Sequence, residues 1–237
     1  MTTQANVYES TTSFSGLAKR INDSQRIIVT THRKPDGDAI GSVVGLCRGL
    51  QSIGKDATTL LIGPIEHGLR CAVGDIELNV VEEIGLPKED PDLIIVVDTG
   101  AWSQLEALEQ WLRDQSEIVI GMDHHANGDA VAGDRVVDTS AAACTQLVME
   151  LFEVMNIPLG SGRNSVAEAL FIRISRGAFH LKSPTGGCAY GISSQLATPL
   201  IKKPFEIPED VEIFKFSATI AFEISKSVIK YIDRIFI

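Results

Sequence analysis

At 237 residues, 44% hydrophobic and 22% charged, the chain is long enough to bury a substantial core, as one large domain or two small ones. Its formal net charge of −10 excludes a broad basic surface for duplex nucleic acid, although bound cations would reverse the field locally and admit a small anionic substrate. Cys47, Cys71, Cys144 and Cys188 lie too far apart for a zinc pair and read as free thiols of a reducing compartment. The polar N-terminus lacks the apolar stretch of a secretory signal, and no apolar run approaches the roughly 20 residues that cross a bilayer. A cytoplasmic protein with no membrane partner is expected.

In chain order, residues 15–22 predict a helix and residues 26–31 (RIIVTT) a strand. A helix at 39–53, a strand at 57–62 (ATTLLI) and a strand at 93–98 (LIIVVD) follow. Next come a helix at 102–113, a strand at 118–122 (IVIGM), and helices at 141–155 and 165–171. The strand segments are nearly continuous in apolar residues, as strands buried on both faces must be. Their alternation with helical segments predicts an α/β fold, a parallel sheet flanked by helices on both faces. Composition shifts near residue 172: residues 1–172 carry a net charge of −13 and residues 173–237 one of +3. The division expected is therefore a sheet domain over 1–172 and a divergent tail over 173–237, with an apolar, weakly helical stretch at 211–237.

Function in such sheets gathers at the carboxyl ends of the strands. Three clusters of acidic or imidazole groups stand there: His32 to Ser42 (HRKPDGDAIGS) after the first strand, Asp98-Thr99-Gly100 after LIIVV, and Asp123-His124-His125 after IVIGM. A lone aspartate after a strand is usually a helix cap or turn former. Three such strand ends brought side by side are a different matter. Asp36, Asp38, Asp98 and Asp123 together could not all stay ionised without positive compensation. Neighbouring imidazoles add nitrogen ligands, a mixed donor set that suits manganese, iron or cobalt better than magnesium, with zinc as a weaker alternative. Two such ions about 3.5–4 Å apart would generate a nucleophile and clamp phosphoryl oxygens. Gly41 and Ser42, in the first turns of the helix after the first cluster, read equally as a phosphate-receiving helix start or as close packing on the sheet.

The order and spacing of HRKPDGDAIGS, VDTG and DHH resemble motifs I to III of the DHH phosphoesterase superfamily. The nearest subgroup is that of the bacterial bifunctional oligoribonuclease and pAp phosphatases (NrnA type). The segment 138–159 (DTSAAACTQLVMELFEVMNIPL) resembles the stretch after motif III, so the likeness spans about residues 10–172. It implies that His32, Asp36 and Asp98 hold one divalent cation, and that Asp38, the bridging Asp98 and His124 hold a second, with manganese the expected metal. It further implies that His125 contacts the substrate phosphate and that Asp123 orients a histidine. Short RNA or a nucleotide is the implied substrate, and a homodimer is compatible with it.

Two departures stand beside the resemblance. The fourth motif should supply another aspartate after 166–171, where the sequence reads IRISRGAFHLKSPTGGCAYG with none. The substrate-binding DHHA1 domain is not found either, so a truncated or frameshifted tail is one reading. Two rival functions follow: another DHH activity (single-strand exonuclease, cyclic-dinucleotide phosphodiesterase or pyrophosphatase), or a non-catalytic fragment that binds metal or nucleotide. His67 and His180 match no motif and read as ordinary surface or turn residues.

Overall fold

The computed structural model describes residues 8–70 and 73–158. Helix α1 (Phe14–Asn22) leads into β1 (Arg26–Thr31), α2 (Gly37–Ser52) and β2 (Asp56–Thr59). Two single-turn helices, α3 (His67–Arg70) and α4 (Val81–Ile84), precede β3 (Leu93–Val97). A 3-10 turn (Trp102–Gln104), α5 (Glu109–Asp114), a second 3-10 turn (Ser116–Ile118), β4 (Val119–Asp123), β5 (Asp134–Val137) and α6 (Cys144–Met155) complete the described part.

The five strands form one wholly parallel sheet in the order β2-β1-β3-β4-β5. All residues of β3 and β4 are buried. Alternate side chains supply two cores, as the period-2 geometry of a strand requires. Val29, Ile95 and Met122 join Leu17, Leu46 and Phe152 of α1, α2 and α6 on one face. Ile28, Ile94 and Val96 join Leu105, Leu108 and Leu112 on the other. The predicted architecture, helices on both faces of a parallel sheet, is therefore the one observed. The direction of winding reverses between β1 and β3, and a crevice opens beyond the carboxyl ends of strands at such a switch point.

Several local expectations need correction. The predicted helix at 102–113 is split. The Gln104 carbonyl, which a continuous helix would offer to residue 108, accepts from the Arg33 amide, while the Leu108 amide turns to Leu105. Its leucines still reach the core, so the apolar spacing was real although the helix is not continuous. The end of the run at 57–62 leaves β1: the Leu61 amide donates to the Asn79 carbonyl and the Leu61 carbonyl accepts from the Val81 amide, a parallel bridge to Val80. The strand β5 carried no apolar run, being half-exposed at the sheet edge. The helices expected at 165–171 and within 211–237, and the boundary at 172, lie outside the described residues. Cys47 and Cys144 are free and buried, and no helix among the described residues is long and apolar enough to cross a membrane.

The α2–α6 contact is close enough to reverse a familiar rule. Alanine normally stabilises a helix over glycine by about 1 kcal/mol. A Cβ at Gly49, however, would stand 2.7 and 2.8 Å from two ring carbons of the fully buried Phe152. Overpacking of this kind costs about 1–3 kcal/mol. Gly49→Ala should therefore lower the melting temperature by a few degrees in a thermal melt. An unchanged or raised value would mean that α6 can move away freely.

Candidate metal centre

The three sequence clusters meet at the crevice beyond β1, β3 and β4. After β1, the chain turns through Lys34, whose φ of 50° is left-handed, and enters α2 at Asp36. The Asp36 carboxylate caps that helix, its Oδ1 accepting from the amides of Asp38 at 2.8 Å and Ala39 at 3.1 Å. Asp38, buried one residue into α2, caps a different helix. Its two oxygens accept from the amides of Cys144 at 2.9 Å and Thr145 at 3.1 Å, the start of α6, which has no capping side chain of its own. The ordinary capping reading of these aspartates is thus correct, and it also fixes their carboxylates beside the cluster.

Asp98 sits at the centre. It follows β3 directly with a φ of 62°, a conformation costly for a residue bearing a Cβ, and such strain gathers at functional sites. Its carboxylate is almost wholly buried, and among the described residues Oδ1 accepts no hydrogen bond. Around it, His124 Nε2 lies 3.3 Å from Oδ1 and 3.5 Å from Asp38 Oδ2, while His32 Nε2 lies 3.7 Å from Asp98 Oδ2. One ligand atom each from His32, Asp36 and Asp98 fall within 4.8 Å of one another, as do those of Asp98, His124 and His125.

The imidazole tautomers sharpen the argument. Nδ1 of His32 is 2.9 Å from the Arg33 carbonyl, and Nδ1 of His124 is 3.2 Å from the Ala141 carbonyl. A carbonyl accepts only, so both Nδ1 atoms carry the proton, and both Nε2 atoms face carboxylates. A neutral ring would then oppose a lone pair to an anion. Either a proton or a cation must occupy the space between. A buried acceptor without a donor, mixed nitrogen and oxygen atoms and two pre-set imidazoles suit a divalent cation. His125 differs: its Nδ1 donates to Asp123 Oδ1 at 2.7 Å, so that nitrogen is committed, and Nε2 is the atom left to project from a half-exposed ring.

The electrostatics agree with this arrangement. Burial alone would raise the Asp98 pKa, but the contacts with His124 and His32 override it and hold the carboxyl low. The Asp98 contact raises His124 despite burial. Burial opposes charge on His32, yet contact with Asp98 and the Arg33 carbonyl raises it too. Cys144, with its thiol fully enclosed, is pushed far up, first by burial and then by the negative charges of Asp98 and Asp38.

Asp123 is also buried, and its Oδ1 binds the amides of His124 at 2.8 Å and His125 at 3.2 Å, fixing the turn that presents both rings. Gly41 and Ser42 are buried inside α2. Ser42 has no exposed surface. His67 is exposed on α3, as its lack of a motif suggested. Sequence reasoning missed Tyr8, whose hydroxyl donates to Asp123 Oδ2 at 3.0 Å. Burial first, then the Asp123 charge, raise its pKa and keep it protonated. The segment in which a fourth motif was sought, and His180, lie outside the described residues.

Comparison with known proteins adds the following. The DHH family, N-terminal domain, matches residues 26–173. Over 139 residues the chain is 32% identical to the bifunctional oligoribonuclease and PAP phosphatase NrnA of Thermus thermophilus, covering 55% of this chain and 37% of that protein. It is 28% identical over 149 residues to the cyclic-di-AMP phosphodiesterase PdeA of Listeria monocytogenes, covering 58% of this chain and 22% of that protein. The matches thus span well under half the length of these relatives. The fold is shared with an exopolyphosphatase-related protein from Bacteroides fragilis, at a TM-score of 0.63 and 20% identity, over 78% of this chain and 56% of that one.

The raised imidazoles give a pH test. A raised folded pKa means that the His–Asp98 contacts favour folding below the ordinary imidazole range near about pH 6.5. That contribution is lost as pH rises through the raised values. Cation binding needs bare Nε2 atoms and strengthens over the same window. The melting-temperature increment produced by manganese should therefore grow between about pH 5.5 and 8.5. It should be small throughout in Asp98→Asn. An increment independent of pH would remove His32 and His124 from the ligand set.

Proposed function

We propose, from the premise that this chain belongs to the DHH family, that it is a metal-dependent phosphoesterase acting on short oligoribonucleotides and on 3′-phosphoadenosine 5′-phosphate. The observation that supports this most is the Asp98 carboxylate, buried among imidazoles and other carboxylates with one oxygen accepting no hydrogen bond among the described residues. In this reading His32, Asp36 and Asp98 hold one divalent cation, and Asp38, Asp98 and His124 hold a second. Manganese is the preferred ion, given the mixed nitrogen and oxygen donors. When bound, such a pair supplies Lewis acidity toward a phosphoryl group and a nucleophile at neutral pH.

The chain's own residues do the rest. Asp98 joins both ligand sets. Asp38 is held by the α6 amides, so it reaches the second set without giving up its capping bonds. Asp123 fixes His125 with Nδ1 protonated, which leaves Nε2 as the second nitrogen of a half-exposed ring. Through it, His125 contacts a substrate phosphate and offsets charge developing on it. The short-RNA and pAp assignment draws on the NrnA relatives in Thermus thermophilus and Bacillus subtilis, the latter 27% identical over 136 residues. A second reading, a cyclic-dinucleotide phosphodiesterase, draws on the Listeria PdeA alignment. Both substrate classes are small anions that suit a chain with a net charge of −10 once cations have reversed the local field.

The test is turnover by the purified full chain with manganese, offered pAp, a diribonucleotide and cyclic di-AMP in parallel. Hydrolysis of the first two is expected, with a loss of about a hundredfold or more in Asp98→Asn, the scale of removing several kcal/mol of transition-state stabilisation. Preference for cyclic di-AMP would favour the second reading. Manganese binding without turnover of any of the three would leave a metal-binding, non-catalytic domain.

A further inference from the structure

We propose that Tyr8 is a positioning residue of the metal centre: its hydroxyl holds Asp123 turned toward His125, while its ring ties together the loops that follow β3 and β4. The proposal rests on the reading of His125 as the phosphate contact, but its structural core stands apart from turnover.

An N-terminal strap brings Tyr8 into place. The exposed edge of β5 would otherwise present unpaired backbone groups. Side chains of the strap satisfy them instead. Ser10 Oγ donates to the Val137 carbonyl at 3.0 Å and accepts from the Val137 amide at 2.8 Å. Thr11 Oγ1 donates to the Gly133 carbonyl at 2.7 Å and accepts from the Arg135 amide at 2.9 Å. Thr11 and Thr12 amides both donate to the Arg135 carbonyl. The strap therefore runs antiparallel to β5 and delivers Tyr8 beyond its carboxyl end, at the same edge as the three clusters.

The ring then lies flush on two loops. A Cβ at Gly100, in the Asp-Thr-Gly turn after β3, would collide with the Tyr8 hydroxyl and ring. One at Gly128, in the loop after β4, would stand 2.6 Å from two ring carbons. Both positions thus admit only glycine while the ring is present. Arg135 packs its guanidinium 5.5 Å from the ring centroid.

The hydroxyl completes the shell of Asp123. Oδ1 already takes the His124 amide, the His125 amide and the His125 ring. Among the described residues, Oδ2 takes Tyr8 alone. With both oxygens engaged, this buried carboxylate is committed to orienting His125 and cannot swing toward the cations. Without the hydroxyl, Oδ2 is a buried acceptor facing a cluster that attracts positive charge, and rotation of the carboxylate would release the His125 Nδ1 proton from its fixed partner.

The informative variant is Tyr8→Phe, which keeps the ring against Gly100 and Gly128 and deletes the hydroxyl. With ¹⁵N-histidine labelling of the full chain, only five histidines contribute, and His125→Ala identifies the signal. At about pH 8, above the ordinary imidazole range, His125 should show a single Nδ1–H tautomer in the natural protein and a tautomer mixture in Tyr8→Phe. Ser10→Ala, which loosens the strap, should shift it the same way and serves if Tyr8→Phe fails to fold. With pAp and manganese, kcat should fall about tenfold in Tyr8→Phe while manganese affinity holds, the scale of outer-shell partners. The same change in a His125→Ala background should cost nothing further. An unaltered His125 tautomer in folded Tyr8→Phe would overturn the proposal. A natural protein that hydrolyses nothing would sink the phosphoesterase reading, and the tautomer comparison would still decide the role of Tyr8.

Discussion

Four carboxylates and two pre-set imidazoles meet beyond the ends of three parallel strands, and this concentration of negative charge is the constraint on which the rest depends. Asp98 is its focus: buried, in a left-handed backbone conformation, with one oxygen accepting no hydrogen bond among the described residues. Such a group is tolerated only where something positive sits beside it. In the absence of cations the raised His32 and His124 can take that part by holding protons. Under the proposed reading the same nitrogens become ligands when cations are present, so that protons and metal compete for one space.

The fold keeps the cluster assembled by giving its acids structural work. Asp36 caps its own helix, and Asp38 caps α6, which approaches from more than a hundred residues away in sequence. Asp123 holds the turn of the two histidines. These three carboxylates are anchored by backbone amides, so their repulsion from one another and from Asp98 does not splay them apart. The charges of the site and the ends of the helices are in this sense one arrangement, and loosening a cap should be felt at the cluster.

Much of this was legible in the chain. The strands β1, β3 and β4 are almost wholly buried and show as nearly continuous apolar runs, so their carboxyl ends, and with them His32, Asp98 and His124, could be located from pattern. The edge strand β5 escaped because half of it faces outward and its sequence, Asp-Arg-Val-Val, has too little apolar signal. Leu105, Leu108 and Leu112 suggested a continuous helix because apolar spacing reports a buried face. It does not report a carbonyl captured by Arg33. Tyr8 left no local trace: its partners Gly100, Asp123 and Gly128 are distant in sequence, and a polar N-terminal stretch reads as a tail. Capping and orienting roles are likewise tertiary facts. Periodicity shows that a helix begins beside Asp38, not that Asp38 also caps the start of another.

In the proposed reading Asp98 is shared by two cation positions. Diffraction from manganese-soaked crystals of the full chain, recorded on both sides of the manganese absorption edge, addresses it without reliance on turnover. The account predicts two anomalous peaks about 3.5–4 Å apart, the usual separation of paired ions, flanking the Asp98 carboxylate, one beside His32 and Asp36 and the other beside Asp38 and His124. Peaks confined to other acidic surface groups, with no ion on Asp98, would contradict it.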